Sequence, residues 1–568
     1  MSTLPHAELT LTTFRVDDLP LLVSVIRAMQ LDVILDDIVP THGNTLRHNQ
    51  LTNGEALCLW IVYLLCEGTH RKWKVEDWVA FHTVLLTRLW KAPVPASDFT
   101  DDRLTTLLAY LSRAPVQEAI DRLLCQLTVY LYEFQATHIR LDATVLTGYH
   151  QVTADGIMQY GHAKGGPEGC TQCKLMAAAT PTGQYLTGQY HPGQRADDPL
   201  YAPLLTRLFR WELPDGWLFV GDSKMGALAT RRHIIANRHH YYMPLSDALL
   251  THEEKAGWIA EAANGSLEHF TAFMPIFRDE ELLGYGWEFT RTYPVVEGEE
   301  AVWTERVQVI RSLNLAKAEQ RTLDRQVEKA RKALFALTPA PKQRVKQYTD
   351  EASLREAIAA ILCRQQVQDV LSVSFQWDRS YQTPKAPEGR LVITAVILDP
   401  DQYQTRCHQC GWRIYVTSAP RERLGLDAGQ LLYRQGAGQG IERMNRMLKD
   451  HDILGLDRLY VVKPQQIVGI SYFVTLAQRV MMYIETTIRQ GLAEAGEALP
   501  GYYPGQKSSA KPTTKTMLEQ IAAQGVTLTE IHLADGRRLK HLSALPVILV
   551  AMLKFLKLPA DLYERLLE

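Results

Sequence analysis

"THIRLDATVL", residues 137–146, decides the fold class. Ile139, Leu141, Ala143 and Val145 alternate with His138, Arg140, Asp142 and Thr144, the period-two pattern of a strand with one apolar face and one polar face. The segments before it read differently. "DDLPLLVSVIRAMQ", "EALCLWIVYLLCEG", "KVEDWVAFHTVLLTRLW" and "PVQEAIDRLLCQLTVYLYEF" space their apolar residues at helical intervals and carry Asp, Glu, Asn or Pro near their starts. Residues 1–134 are therefore expected to form a helical N-terminal region, and residue 137 opens a layer of another kind.

Downstream, "CKLMAAATP" and "GQYLTGQYH" continue as strands, and "DPLYAPLLTRLFRWE" reads as a helix. "GWLFVGDSKMGALATRRHIIANRHHYYMPLS" gives a short buried strand at 217–221, a loop holding Asp222, a helix to about 238 and a further strand. The sum over 135–247 is mixed α/β, a sheet covered by helices. Residues 248–425 are β-rich, with strand-like "HFTAFMPIF", "GWEFTRTYP", "AVWTERVQVI", "RLVITAVIL" and "WRIYVTSA". Inside them Ala316, Leu323, Ala330 and Leu337 recur every seven residues, which predicts a long packed helix. With "DEASLREAIAAILCRQ" folding back after "TPAPKQ", residues 313–365 form a two-helix arm. Helices resume over 426–495 and continue in a C-terminal helical region, 496–568.

At 568 residues the chain exceeds what one core supports, so several units are expected. The apolar runs at 56–66 and 545–553 fall short of the ~20 residues that span a bilayer and read as core helices. The start shows no basic segment followed by an apolar one, so the expected address is cytoplasmic, with no membrane and with reduced cysteines. The 61 basic and 63 acidic residues leave a net charge of −2, so any nucleic-acid contact must come from local patches. "THRKWK" at 69–74 and "YYPGQKSSAKPTTK" at 502–515 are two such patches, each equally readable as a solvated loop.

Three acids stand out by setting. Asp142 projects from a strand, Asp222 follows the apolar run "WLFVG", and Glu442 opens a helix rich in Arg and Lys. Carboxylates at strand ends suit hard cations such as Mg²⁺ or Mn²⁺, and two or three of them can hold an ion pair roughly 3.5–4 Å apart for phosphoryl transfer. Taken singly, an Asp after a strand is more often a turn former or a helix cap. "CTQC" (Cys170, Cys173) and "CHQC" (Cys407, Cys410) make two Cys-x-x-Cys pairs that could close a structural Zn²⁺ site, with unliganded thiols as the plainer reading.

Taken in order, "IRLDATVLTGYH", "YGHAKGGPEGCTQCKLMAAATPTGQYLTGQYHPGQRADDP", "LFVGDSKMGALATRRHI" and "YRQGAGQGIERMNRMLK" resemble the successive motifs of bacterial insertion-sequence transposases of the DDE class, in the IS-four superfamily branch with a long helical N-terminus. The resemblance runs from about 30 to 490. It implies a ribonuclease-H-like catalytic core interrupted by the β-rich insertion. Asp142, Asp222 and Glu442 would then hold two Mg²⁺ (or Mn²⁺) ions, with 80 residues between the aspartates and 220 from Asp222 to the glutamate, room enough for the insertion. The implied partner is double-stranded DNA, as element terminal inverted repeats and as target, bound by a homodimer in the bacterial cytosol or nucleoid. The implied reaction is cleavage at the element ends followed by strand transfer. Arg443, Arg446 and Lys449 would hold the phosphate backbone and Tyr433 would stack on a displaced base; for Arg443 and Arg446 a plain exposed helix face is the alternative.

The family's third motif places Tyr, Arg, Glu and Lys at set intervals. Glu442 and Lys449 keep the last interval and share a helix face, since seven residues at about 100° each return almost to the start. The positions where the motif's Tyr and Arg would fall are Gln435 and Gly438, and Tyr433 with Arg434 lies too early, so "GAGQG" reads as a local insertion or kink. Two other readings share these residues: a domesticated or inactive DNA-binding relative, and a ribonuclease-H-like nuclease without strand transfer. Retention of all three acids favours the catalytic reading, since a pure binder has no chemical use for them.

Overall fold

The computed structural model describes residues 10–40, 51–128, 138–161, 169–211, 214–265, 270–278, 280–295, 302–340, 346–384, 386–437, 440–456, 459–533 and 537–568. The chain forms two compact units. One comprises 1–225, 237–239 and 434–568, and the other 226–236 and 240–433.

The first unit is built around one long helix, Pro464–Ala495, buried on all sides over most of its length. It is the one helix among the described residues long and apolar enough to cross a membrane, and 89% of its most apolar window is buried inside the protein. The N-terminal helices pack on it. Trp60, from the Asn53–Glu67 helix, stacks on Phe473 with ring centroids 4.2 Å apart. Gly469 permits the tightest crossing: a Cβ there would stand 2.2 Å from the Leu108 carbonyl oxygen, so any side chain would push the Asp101–Leu111 helix away. At the far end of this interface Arg479 donates to Asp121 Oδ1 at 2.7 Å, Tyr472 donates to the same oxygen at 2.8 Å and Thr187 donates to Oδ2 at 2.7 Å. That buried cluster ties two helices to the sheet.

The N-terminal region also carries a strand, β1 (Thr10–Arg15). The sheet of this unit has the order β4-β3-β2-β5, with β2 Ile139–Gly148, β3 Thr171–Ala179, β4 Tyr185–Pro192 and β5 Leu218–Val220. β2, β3 and β4 form an antiparallel meander, and β5 joins the other side of β2 in parallel, with Ile139 opposite Phe219 and Arg140 opposite Val220. The one-sided alternation expected of β2 does not hold, because helices cover both faces: Arg140 and Thr144 are buried along with Ile139 and Leu141. The C-terminal region is not purely helical either. It contributes β13 (Leu499–Tyr503), β14 (Lys507–Ser509), β15 (Thr527–His532) and β16 (Arg538–Leu542), besides the Thr514–Gln524 and Val547–Phe555 helices. β1, β15 and β16 form a three-stranded sheet. Only Leu528 of β15 is buried, so the strand shows no apolar alternation to read.

In the second unit β6 (His240–Pro244), β12 (Trp412–Thr417), β9 (Val302–Ser312), β8 (Glu281–Pro294) and β7 (Ala272–Arg278) lie side by side in that order, each antiparallel to the next. The arm is present as helices Leu313–Phe335 and Glu351–Gln365. It has its own small core, in which Leu323, Val327, Ala330 and Leu334 pack with Leu354 and Ile358 and with a β-ribbon, β10 (Leu371–Asp378) paired to β11 (Arg390–Leu398). β10 has no counterpart in the sequence reading, although Leu371, Val373, Phe375 and Trp377 alternate with exposed Ser372, Ser374 and Gln376 in a strand's period of two.

Candidate functional site

The parallel pairing of β2 with β5 builds the site. Two residues beyond the Arg140–Val220 pair, each strand reaches an aspartate, Asp142 on β2 and Asp222 just past the end of β5. Equal steps along neighbouring parallel strands bring the two carboxylates side by side, Asp142 within β2 and Asp222 past the end of β5. Burial and the charge of Asp222, with lesser contributions from Glu442 and Asp197, push the Asp142 carboxyl up to about 7. Asp222 is held from its own side. Its Oδ1 accepts from the buried Tyr201 hydroxyl at 2.7 Å and from the backbone N–H of Lys224 at 2.9 Å.

Glu442 comes from the Ile441–Lys449 helix, whose Met444, Met447 and Leu448 sink into the core while Glu442 and Arg446 remain exposed. Gly440 starts this helix in a tight place, where a Cβ would meet the Pro181 carbonyl oxygen at 3.0 Å. Glu442, Asn445, Arg446 and Lys449 line an open cleft together with Thr144 and Asp450. Lys449 donates to Thr144 Oγ1 at 2.8 Å; burial lowers its ammonium pKa, opposed by Asp142. Asn445 is 7% exposed and its Oδ1 has no hydrogen-bond partner among the described residues, leaving an unsatisfied oxygen beside the cleft.

The other expected site residues fare differently. Arg443 turns inward to an ion pair with Glu485 and a 3.4 Å hydrogen bond to the Thr182 carbonyl, so holding phosphate would cost it that pair. Tyr433 packs edge-on against Tyr415 and Tyr242, with centroids 5.2 and 6.2 Å away, a structural use of the ring expected to stack on a base. "GAGQG" separates two helices, Leu426–Ala437 and Ile441–Lys449; Gly438 and Gln439 lie outside the described residues, as does the side chain of Arg434. Cys173 is fully buried in β3, where burial pushes its thiol up to about 12, and the Cys410 thiol donates to the Arg406 carbonyl at 3.3 Å. Among the described residues no three His, Cys, Asp or Glu side chains converge on a single metal-sized point. Around Cys170 and Cys173, or Cys407 and Cys410, no completing ligands stand among the described residues. For the three acids it means that their side chains, as placed, do not meet at one metal-sized point, although the charge of Glu442 is felt at Asp142.

Three polar residues of the site were missed by the sequence reading. Asp197 lies between Lys174, at 2.5 Å, and Lys224; burial alone would raise its carboxyl, but the two lysine hydrogen bonds outweigh that and hold it below the usual range. Tyr201 and Asp197 both sit in or just after "RADDPLY", whose paired aspartates before a Pro are ordinary turn chemistry. Lys224 follows Asp222 by two residues, too close for spacing alone to separate a loop lysine from a site lysine.

The raised Asp142 carboxyl has a measurable consequence. Its pKa is above the unfolded value of 3.8, so the folded state binds the extra proton between about pH 4 and pH 7, and above that window it bears the cost of a desolvated charge. Asp142→Asn, neutral throughout, should match the wild type in unfolding free energy at pH 4 and exceed it increasingly up to pH 8, by about 2 kcal/mol after allowing for partial solvent access, with a thermal midpoint that rises in step. Melting curves in chelator across that range test this; a difference that does not grow with pH would refute the crowded-carboxylate account.

No family model matches the chain, and no curated protein matches it. Among solved structures, the cryo-EM synaptic complex of piggyBac transposase with hairpin DNA aligns over 89% of this chain and 79% of that one, at 9% identity and a TM-score of 0.35. A score that low establishes no common fold, so the insertion-sequence resemblance rests on the motifs themselves.

Proposed function

We propose that the chain is a DNA transposase that cleaves element ends and joins them to target DNA, with Asp142, Asp222 and Glu442 as its metal-binding acids. The observation that carries the reading is the meeting of Asp142, inside β2, with Asp222, just past the end of β5, where burial first and the charge of Asp222 second push the Asp142 carboxyl up to about 7. An antiparallel meander flanked by a parallel strand, with one aspartate inside β2 and the other just past β5, supports the ribonuclease-H-like core.

The donor set fits hard divalent cations: it consists of carboxylate oxygens, and the cleft that holds Glu442 adds the unsatisfied amide oxygen of Asn445, with no sulfur or imidazole among the described residues lining it. Asp142 and Asp222 would hold Mg²⁺ or Mn²⁺, and Glu442, exposed in the first helical turn, has the side-chain freedom to swing toward them. When bound, such ions supply Lewis acidity at a phosphodiester and a more acidic attacking water. The chain's own residues do the rest. Arg446 and Lys449 present cations in the cleft where the phosphate backbone would lie, a contact independent of sequence. Tyr201 and the Lys224 N–H occupy one oxygen of Asp222 and fix the rotamer in which it offers the other.

Tyr201→Phe should therefore weaken Mn²⁺ binding by about 10-fold or more, the usual cost of removing a hydrogen bond that orients a ligand. The readout is the Mn²⁺ concentration that gives half of the metal-induced thermal stabilisation. An unshifted midpoint would show that Asp222 needs no such support. The proposal as a whole is tested by incubating purified protein with a duplex carrying the ends of its own element and Mg²⁺, and looking for cleaved and joined products. Cleavage without joining would favour a nuclease, and binding without cleavage an inactive DNA-binding relative.

A further inference from the structure

The Leu313–Phe335 helix of the arm divides its residues sharply. Leu323, Val327, Ala330 and Leu334 face the arm's core. On the opposite side Lys317, Arg321, Arg325, Lys329 and Lys332 are all exposed. Steps of four, four, four and three residues at about 100° each keep these five within an arc of roughly 120°, and the 1.5 Å rise per residue makes the row about 22 Å long. The acids of the same helix are mostly drawn elsewhere. Glu319 accepts from the Gly411 N–H and from Arg413, both at 2.7 Å, and Asp324 accepts from Tyr403 at 2.5 Å. Only Glu328 lies on the basic arc, 3.4 Å from Lys332. In a chain whose acids slightly outnumber its bases, this row is a local excess of positive charge.

We infer that the row Lys317–Arg321–Arg325–Lys329–Lys332 is a duplex-DNA docking surface that binds the phosphate backbone without reading sequence. The charge is complementary, and duplex DNA presents one phosphate per ~1.7 Å of axis, so a 22 Å row can meet several phosphates at once. Ammonium and guanidinium groups on long side chains, spread along one straight helix, suit a backbone track better than a compact anion, which needs donors converging on a point. The inference rests on DNA being the partner and is independent of the metal site.

The test is the salt dependence of full-length protein binding to a fluorescent 30-base-pair duplex of mixed sequence. Each phosphate contact contributes about 0.9 to the slope of log affinity against log salt. A variant with Lys317, Arg321, Arg325 and Lys329 all changed to Gln should lose about 2–4 units of slope and bind about 10-fold or more weakly at 0.15 M salt. Glu328→Gln, which removes the one acid on the arc, should bind more tightly than the wild type, a gain that misfolding cannot mimic. Wild-type slopes in both variants would overturn the inference while leaving DNA as the partner. Absence of any salt-dependent binding by the wild type would instead overturn the DNA reading itself.

Discussion

Asp142→Asn, assayed on an end-containing duplex with Mg²⁺, should lower the cleavage rate by about 10³-fold or more, a loss of roughly 4 kcal/mol of transition-state stabilisation. Affinity for the duplex should change less than about threefold, because the acids contribute repulsion and not attraction toward phosphate. The substitution removes one charge from the centre of the crowded group, since Asp142 is the residue that senses Asp222, Glu442 and Asp197 together. Asp222→Asn should behave alike, and Glu442→Gln should also abolish cleavage while leaving binding intact. A variant that cuts at the wild-type rate removes its residue from the site. Together with the pH-dependent gain in stability of Asp142→Asn, the expected pattern is a protein made sturdier and inert by one change, as holds where a site is held in an unfavourable charge state for its chemistry.

The largest effect on stability is expected at the other end of the first unit. Asp121→Ala should destabilise by about 3–5 kcal/mol, since it leaves the Arg479 guanidinium buried without its counter-charge and leaves Tyr472 and Thr187 without their acceptor. Arg479 would keep its 2.6 Å hydrogen bond to the Leu186 carbonyl and its place over the Tyr185 ring, but no counter-charge among the contacts described. Asp121→Asn, which preserves shape and one acceptor oxygen, should lose less. Urea unfolding followed by tryptophan fluorescence reports this directly, because Trp60 stacks on the same long helix that carries Arg479. A midpoint unchanged in Asp121→Ala would show that the cluster contributes nothing to the unit's cohesion.

How legible was this in the sequence? The strands and helices that bury a full face were readable, as at 171–179, 201–209 and 464–495, because burial imposes a period on the residues. β15 was not, because only Leu528 of its residues is buried and Thr, Glu, Ile and His fill the rest, whereas the alternation of Leu371, Val373, Phe375 and Trp377 in β10 was there to be read and went unread. The three acids could be singled out from their settings and their order. Their support could not: Tyr201 reaches Asp222 across 21 residues, and Lys174 reaches Asp197 across 23, distances that only folding shortens. The inward turn of Arg443 was equally hidden, since its partner Glu485 lies 42 residues away on a helix whose apolar pattern advertises only its core role.

The register of β2 with β5 has a consequence for timing. Between Arg140 and Val220 the chain must close a loop of 80 residues before the second aspartate stands beside the first. A polypeptide interrupted between Asp142 and Asp222, by a stalled ribosome or a protease, carries the first aspartate alone. The aspartate pair thus comes into being only when this long-range pairing is complete, and the same ladder that shapes the sheet sets the moment at which the two carboxylates first meet.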